Sequence, residues 1–252
     1  MNAPFATELL GWKPGKKNAN PAGLVPNCAD SDSLASVELA AGMLDALGVD
    51  PAVASKVPAD PGGPLEVAVQ EYLAASLGVT EERTWHVQRG RVISEFFQYE
   101  HLRKVDELLK KESALRVTIG TDYLIKPDVT VAILGAPTVF NAPFLHAAVS
   151  CKWTIRSDRV QNVRHEFNQM IKHRRGRLPH LMAVTAEPLP TRLASIARGT
   201  GEVDAVYHIA FDALAASVAQ YGSKGQQEAW EECVQQGRLL SFSSLVESIA
   251  SW

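Results

Sequence analysis

KPDVTVAIL at residues 126–134 and SCKWTIRSDRVQNVRHE at residues 150–166 are the two stretches on which the fold turns. The first is an apolar, β-branched run entered through Pro127 and Asp128, and Ser150-Cys151-Lys152 closes a second such run. Both read as strands. Beyond them the apolar spacing becomes helical, and Glu166 lies 14 residues past Lys152. Side chains alternate along a strand, so Ser150 and Lys152 share one side while Cys151 points to the other, into the core. If the two strands are neighbours, Asp128 at the start of one reaches the same place as Lys152 at the end of the other.

Further out, short apolar runs at 128–134, 145–153, 181–186 and 204–210 alternate with helical stretches at about 159–175, 189–198 and 211–220. Strands alternating with helices predict an α/β core, a mixed and partly parallel central sheet flanked by helices, over residues 113–252. QQEAWEECVQQ and SFSSLVESIASW read as closing helices. Upstream, DSLASVELAAGMLDALG (32–48) has apolar residues at helical spacing after a Ser or Asp start signal. GPLEVAVQEYLAASLG (63–78) is a second helix, opened by Gly-Pro and closed by Gly78, with a loop from Pro51 to Pro64 before it. The charged and aromatic pattern from Glu81 to Glu112 predicts one or two more, making residues 31–112 mainly helical. Residues 1–30, rich in Pro, Asn, Gly and Lys, read as an N-terminal arm outside the core.

At 252 residues and 46% hydrophobic, the chain buries a full core, and one domain is expected rather than two. Cys28, Cys151 and Cys233 are too scattered for a zinc site and too few for a disulfide framework, which points to a reducing, cytoplasmic compartment. No run of about 18 apolar residues occurs, and MNAPFATELLGWKPGKK lacks the apolar centre of a secretion signal, so neither membrane insertion nor export is indicated. The net charge of −3 advertises no nucleic-acid binding, but its distribution does. From Lys152 to Leu178 eight basic residues face two acidic ones, a local +6 that leaves −9 for the rest of the chain. Taken alone, such a run is a solvated helix face.

Asp128 and Glu166 offer the hard oxygen ligands that suit Mg²⁺, which hydrolysis of a phosphodiester uses to hold the phosphate and lower the pKa of a water. Lys152 beside them would stabilise the pentacovalent charge or help orient and deprotonate that water. The bland alternative makes Asp128 a turn residue after Pro127 and Lys152 an amphipathic strand end; the basic cluster and Glu166 together weigh against it. Arg156-Ser157-Asp158-Arg159 stands where strand gives way to helix, with Ser157 or Asp158 able to cap the first turn. Arginine pairs bidentately with guanine, and aspartate accepts from cytosine N4, so Arg156, Asp158 and Arg159 suffice to read two adjacent G·C pairs. A two-fold dimer doubles them into a palindrome. In an arbitrary protein the same residues form a surface salt-bridge cluster. Among the seven histidines none has metal-ligand spacing beside a cysteine; they read as structural or phosphate-contacting, with His165 facing DNA or solvent. Gly199-Thr200-Gly201 lacks the lysine of a phosphate loop and reads as a turn. Trp153 alternates into the apolar interior.

The order Asp128, Ser150-Cys151-Lys152, Glu166 resembles the PD-(D/E)XK nucleases, with Ser150 where a carboxylate is expected and Glu166 supplying the missing charge from the helix. SCKWTIRSDR…E together with PHLMAVTAEPLPTRLASIARGTGEVDAVYHIA resembles the CCGG-type type II restriction endonucleases, and among them those cutting GCCGGC after the first G. The likeness is dense over about residues 115–215 and loose over the N-terminal third. It implies a restriction-endonuclease-like fold, Mg²⁺-dependent cleavage of double-stranded DNA with Mn²⁺ able to substitute, and four-base 5′ overhangs. A homodimer, and a homotetramer of two back-to-back dimers, is implied too, as is a cognate DNA methyltransferase in a restriction-modification system.

By position, Asp128, Ser150, Lys152 and Glu166 match that family's active site, and the carbonyl of Cys151 matches a metal ligand beside Asp128 and Glu166. Arg156, Asp158 and Arg159 match the readers of the inner CCGG. Arg192, in PLPTR, matches the contact to the outer pair, with Asp30 as its acidic partner and Asp32 as competitor. A further glutamate from an N-terminal helix corresponds to Glu66, with Glu71 or Glu95 as alternatives. The interval from Asp128 to Lys152 is shorter than the family pattern, which bears on a DNA-contacting or oligomerisation loop. Two other classes share the scaffold. A non-catalytic DNA-binding regulator is disfavoured by the intact Asp128, Lys152 and Glu166, and a shape-reading repair or recombination nuclease would turn Arg156, Asp158 and Arg159 onto phosphates.

Overall fold

The computed structural model describes residues 1–51, 57–79, 83–120, 122–135, 142–199 and 201–251. The chain opens with α1 (Ala6–Leu9) and an antiparallel hairpin, β1 (Trp12–Pro14) and β2 (Leu24–Pro26), followed by α2 (Leu34–Ala46) and α3 (Gly62–Leu77). Ser33 caps α2, its hydroxyl accepting the Ser36 N–H at 3.3 Å. Next come β3 (Thr84–Arg89), two short 3₁₀ turns, α4 (Glu100–Lys111), α5 (Ser113–Ile119) and β4 (Val129–Leu134). The alternating half is β5 (Phe144–Lys152), α6 (Ser157–His173), β6 (His180–Thr185), α7 (Pro190–Ala197) and β7 (Ala205–His208). It closes with α8 (Phe211–Tyr221), α9 (Lys224–Gln235), β8 (Leu239–Ser241) and α10 (Leu245–Ala250). Parts of the 51–64 loop, the first residues of the 81–112 stretch, Thr200 of the 199–201 turn, and the side chain of Ser157 lie outside the described residues and atoms.

The central sheet has the order β3-β4-β5-β6-β7-β8, antiparallel from β3 to β5 and parallel from β5 to β8. This is the mixed sheet flanked by helices that the alternation predicts. β5 is buried at every position but its two ends, as a central strand covered on both faces must be, and its composition is correspondingly apolar. The register places the site. Because β4 runs antiparallel to β5, Val129 pairs Val149 and the preceding Asp128 falls beside Ser150. In the parallel half Lys152 pairs Thr185 and Thr185 pairs His208, so Lys152 ends its strand at the carboxyl edge of the sheet. Loops beyond that edge are where open α/β sheets hold ligands.

Two expectations need correction. Residues 1–30 are not an arm: Ala3, Phe5, Ala6, Leu9, Leu10, Val25 and Cys28 belong to the same hydrophobic cluster as the sheet. Phe5 meets Phe242 edge-on with ring centres 5.0 Å apart, and the Asn27 amide donates to the Leu9 carbonyl and accepts from the Gly11 N–H. The Pro, Gly and Asn content serves the hairpin turns, while the apolar residues between them pack. The stretch before Glu112 holds an expected helix, α4, but also the edge strand β3 at Thr84–Arg89, which the helical reading left out. Six residues with Trp85 and Val87 alternating toward the sheet are too few for the period to stand out among charged neighbours.

Candidate active site

Asp128 and Lys152 meet at the carboxyl edge of the sheet. The Asp128 carboxylate oxygen Oδ2 accepts from the Lys152 ammonium at 2.8 Å, from the Cys151 backbone N–H at 2.7 Å and from the Ser150 hydroxyl at 3.4 Å. Each follows from register: three consecutive residues at the end of β5 converge on the residue preceding β4. Ser150 is buried, and Cys151 turns its thiol into the core, where burial first, and then the Asp128 charge, push its pKa well above the ordinary value.

Glu166 reaches this cluster from α6. Burial raises its carboxyl above the usual glutamate range; the Lys152 ammonium draws it down and the Asp128 carboxylate pushes it up, so the three charges sense one another. Glu66 on α3 is salt-bridged to Arg89 at 2.6 Å, and Arg89 pairs Val129 across β3 and β4, next to Asp128. Both charges act on the Cys151 thiol. Of the alternatives, Glu71 is exposed, and Glu95 is tied to Arg91 and to the Val92 N–H.

Among the described residues no three His, Cys, Asp or Glu side chains converge closely enough to form a ready metal cage. The donors brought within electrostatic reach of one another are the carboxylates of Asp128 and Glu166. These are hard oxygens, suited to Mg²⁺ rather than to a thiolate-seeking metal. The raised Glu166 carboxyl beside Asp128 marks a place where added positive charge is favourable.

The basic segment adjoins this cluster. Arg156 is the extended N-cap residue of α6 and is exposed, as is Asp158, and no side chain of Arg156 caps the helix. Arg159 is folded back, its guanidinium donating to both the carbonyl and the hydroxyl of Thr154 at 2.9 Å. A cleft of about 290 Å³ joins Lys152 to Arg156 and Arg159, and a second of about 700 Å³ joins Arg156 to Asp30 and Arg192. Arg192 and Asp30, 162 residues apart, are paired at 2.6 Å. The Arg192 hydrogen bond, aided by the Asp32 N–H and by the charge of Arg156, holds the Asp30 carboxyl below the ordinary range. Asp32 pairs instead with Lys17. Another cavity, near Trp12 and Tyr221, is lined by Glu38, Asp45 and Asp50, the wrong sign for phosphate.

Trp153 is buried, its indole N–H donating to the Asn27 carbonyl at 3.2 Å. His165 is exposed, whereas His146 and His208 are buried and held neutral, their pKa pushed down to about 4 chiefly by burial. Two residues of the region escape sequence reasoning. Arg89 hides in a strand that reads as helix, and Glu187 follows β6 in a TAEPLP stretch whose only signal is an acid directly after a buried apolar run.

A family model described as NgoMIV restriction enzyme matches residues 15–134 and 136–250. The chain is 36% identical over 224 aligned residues to the type II restriction enzyme NgoMIV of Neisseria gonorrhoeae, covering 76% of this chain and 77% of that protein. Among solved structures it is similar to the restriction endonuclease PspGI in complex with substrate DNA, at 12% identity and a TM-score of 0.42, over 76% of this chain and 60% of that one. A pre-specific BsaWI–DNA complex is matched at 16% identity and a TM-score of 0.34, over 81% of this chain and 76% of that one. At those scores the two structures carry no weight beside the sequence matches.

Proposed function

The chain belongs to the NgoMIV restriction enzyme family, which makes it a type II site-specific deoxyribonuclease, and we propose that it cuts duplex DNA at GCCGGC after the first G. The observation that carries the reading is the 2.8 Å Lys152–Asp128 contact at the end of β5, four residues before Arg156 opens the helix that also bears Glu166. Cutting and reading groups are thereby mounted on one short rigid run.

In this reading Lys152 leaves its ion pair with Asp128 to hold the charge that builds on the scissile phosphate. Ser150 and the Cys151 N–H keep the Asp128 carboxylate oriented. Asp128, Glu166 and the Cys151 carbonyl would hold Mg²⁺, or Mn²⁺ in its place, which when bound neutralises phosphate charge and lowers the pKa of a water. Glu66 stands behind them, paired with Arg89. Arg156 and Arg159 read guanines and Asp158 a cytosine of the inner CCGG; Arg159 first lets go of Thr154. Arg192 and Asp30, already paired, take the outer G·C pair. A homodimer reads the palindrome from both sides, two such dimers form the tetramer, and a methyltransferase protects the same site in the host.

Cleavage mapping tests this. Purified protein, incubated with a sequenced plasmid and Mg²⁺, is expected to cut at G/CCGGC and leave four-base 5′ overhangs. An intact plasmid beside a working control, or cuts indifferent to sequence, overturns the assignment.

A further inference from the structure

Glu187 is fully buried, yet its carboxylate is not a core accident. One oxygen, Oε2, accepts the backbone N–H of Ile155 at 2.7 Å, and the other, Oε1, accepts that of Leu189 at 3.1 Å. Ile155 immediately precedes Arg156. Leu189 is the N-cap residue of α7, whose first turn carries Arg192. The Arg192 guanidinium stands 3.9 Å from Oε1 through one nitrogen while the other binds Asp30 at 2.6 Å. The backbone around Glu187 is anchored too: its N–H donates to the Thr185 hydroxyl at 3.1 Å, and the neighbouring Ala186 N–H donates to the Trp153 carbonyl at 3.1 Å.

Burying a carboxylate is unfavourable by several kcal/mol unless both oxygens are satisfied. Here both are, by the main chain of the two segments that carry the inner and the outer readers. A glutamine would present an N–H₂ to one of those donors, and an apolar side chain would leave both amides unpaired. We propose that Glu187 is a positioning residue that fixes the inner reading segment against the outer one, so that recognition of the two sets of base pairs is coupled through its carboxylate. This deepens the reading under Proposed function and rests on it. Base-edge hydrogen bonds tolerate little displacement, so slack between Ile155 and Leu189 degrades both readings at once.

Burial nevertheless outweighs these hydrogen bonds in the carboxyl's titration. Burial lifts the Glu187 carboxyl to about 7, against the pull of the Ile155 N–H, Arg192 and the Leu189 N–H, and with a small push from Asp30. The other titratable and charged groups facing it are Arg192; Asp30, held low; the Cys28 thiol, pushed up to about 12; and His208, at about 4, whose ring meets the Glu187 carbonyl. Of the shifted groups here, Glu187 is the one brought to about neutral pH.

The experiment compares wild type with Glu187→Gln in Ca²⁺, on duplexes carrying the site that wild type is mapped to cut, the same site altered at its outer pair, the site altered at its centre, and an unrelated sequence. The variant is expected to keep its affinity for the unrelated duplex while discrimination falls about tenfold at both the outer and the inner positions, the size of one weakened bidentate contact. Retention of both discriminations overturns the proposal, and so does loss at the outer pair alone, which would make Glu187 a partner of Arg192 only. Should the variant fail to fold, wild type decides: discrimination at both positions, taken relative to the unrelated duplex, falls from pH 8 to pH 6, and a flat profile overturns the proposal. Wild type binding all duplexes alike sinks the recognition reading itself, and the coupling with it, a result distinct from a variant that reads as wild type does.

Discussion

At the scale of single residues the site is a charge balance. Asp128 and Lys152 are each about a fifth exposed (21%), so their ion pair is partly shielded from water and stronger than one on the open surface. Removing one member leaves the other uncompensated. Asp128→Ala is expected to bind its duplex in Ca²⁺ within a few-fold of wild type and to lose cleavage in Mg²⁺; a gel showing product from the variant would refute the metal role of Asp128. Glu187 supplies a stability test. Its folded-state carboxyl titrates near 7 against an ordinary 4.5, so the folded state takes up its proton first. Its ionisation therefore lowers stability as pH rises from 4.5 through 7. The buried His146 and His208 act oppositely, favouring the fold above their ordinary 6.5 and losing that contribution as pH falls toward 4. In wild type the two histidines outweigh the one carboxyl, so the difference between variants is the cleaner measure. The stability of wild type relative to Glu187→Gln should rise on acidification by roughly 1.4 kcal/mol per pH unit inside that window, followed by denaturant unfolding at pH 5 and pH 8.

At the scale of elements, α6 and β5 hold most of the residues proposed to read and cut. Arg156→Ala and Arg159→Ala should each weaken specific binding by about 1–3 kcal/mol while leaving non-specific affinity nearly unchanged, and unaltered discrimination between CCGG and its variants would remove them as readers. β5 depends on a side chain from outside the sheet. The Gln98 amide donates to the Leu145 carbonyl at 2.7 Å and accepts the Leu145 N–H at 3.0 Å, beside the irregularity where β4 and β5 shift register. It satisfies Leu145 ahead of the point where β6 begins to pair with β5, the same amide reaching the Arg177 carbonyl just before β6. Gln98→Ala should destabilise the protein by about 2–3 kcal/mol, because two buried backbone groups lose their partner, measured as a lower urea midpoint with an unchanged slope. The strands β4 to β7 and the helices between them were legible because each strand is a continuous apolar run set off by helical spacing, whereas the three residues of β8 left no such run. β3 was not, since its six residues carry the alternation of an edge strand among charges typical of a helix.

At the scale of the whole molecule, a chain with net charge −3 concentrates +6 between Lys152 and Leu178, next to the carboxyl edge of the sheet. Binding to any duplex should therefore weaken steeply with salt, as counterions released from phosphate return, and a flat log–log plot of affinity against salt would contradict a phosphate-facing role for this segment. The N-terminal residues are part of the same body, with Phe5 on Phe242 and the Ala3 N–H on the Ile209 carbonyl, and they bring Asp30 to Arg192. Deleting them would remove core and, with Asp30, the partner of Arg192. No helix among the described residues is long and apolar enough to cross a membrane.

The amino-acid sequence by itself determined the order of strands and helices from β4 to α8, the shared side of Ser150 and Lys152, and the placement of Glu166 with Arg156, Asp158 and Arg159 at one helix, while the meeting of Asp128 with Lys152 waited on their strands being neighbours. The first three follow from side-chain period and short spacing, which are local properties. Only the tertiary structure pairs Asp30 rather than Asp32 with Arg192, bridges Glu66 to Arg89, and sets the Glu187 carboxylate between Ile155 and Leu189. Each of these depends on which charge or amide a fold brings within about 3 Å from far along the chain, and hydrogen-bond geometry at that range has no signature in the residues on either side.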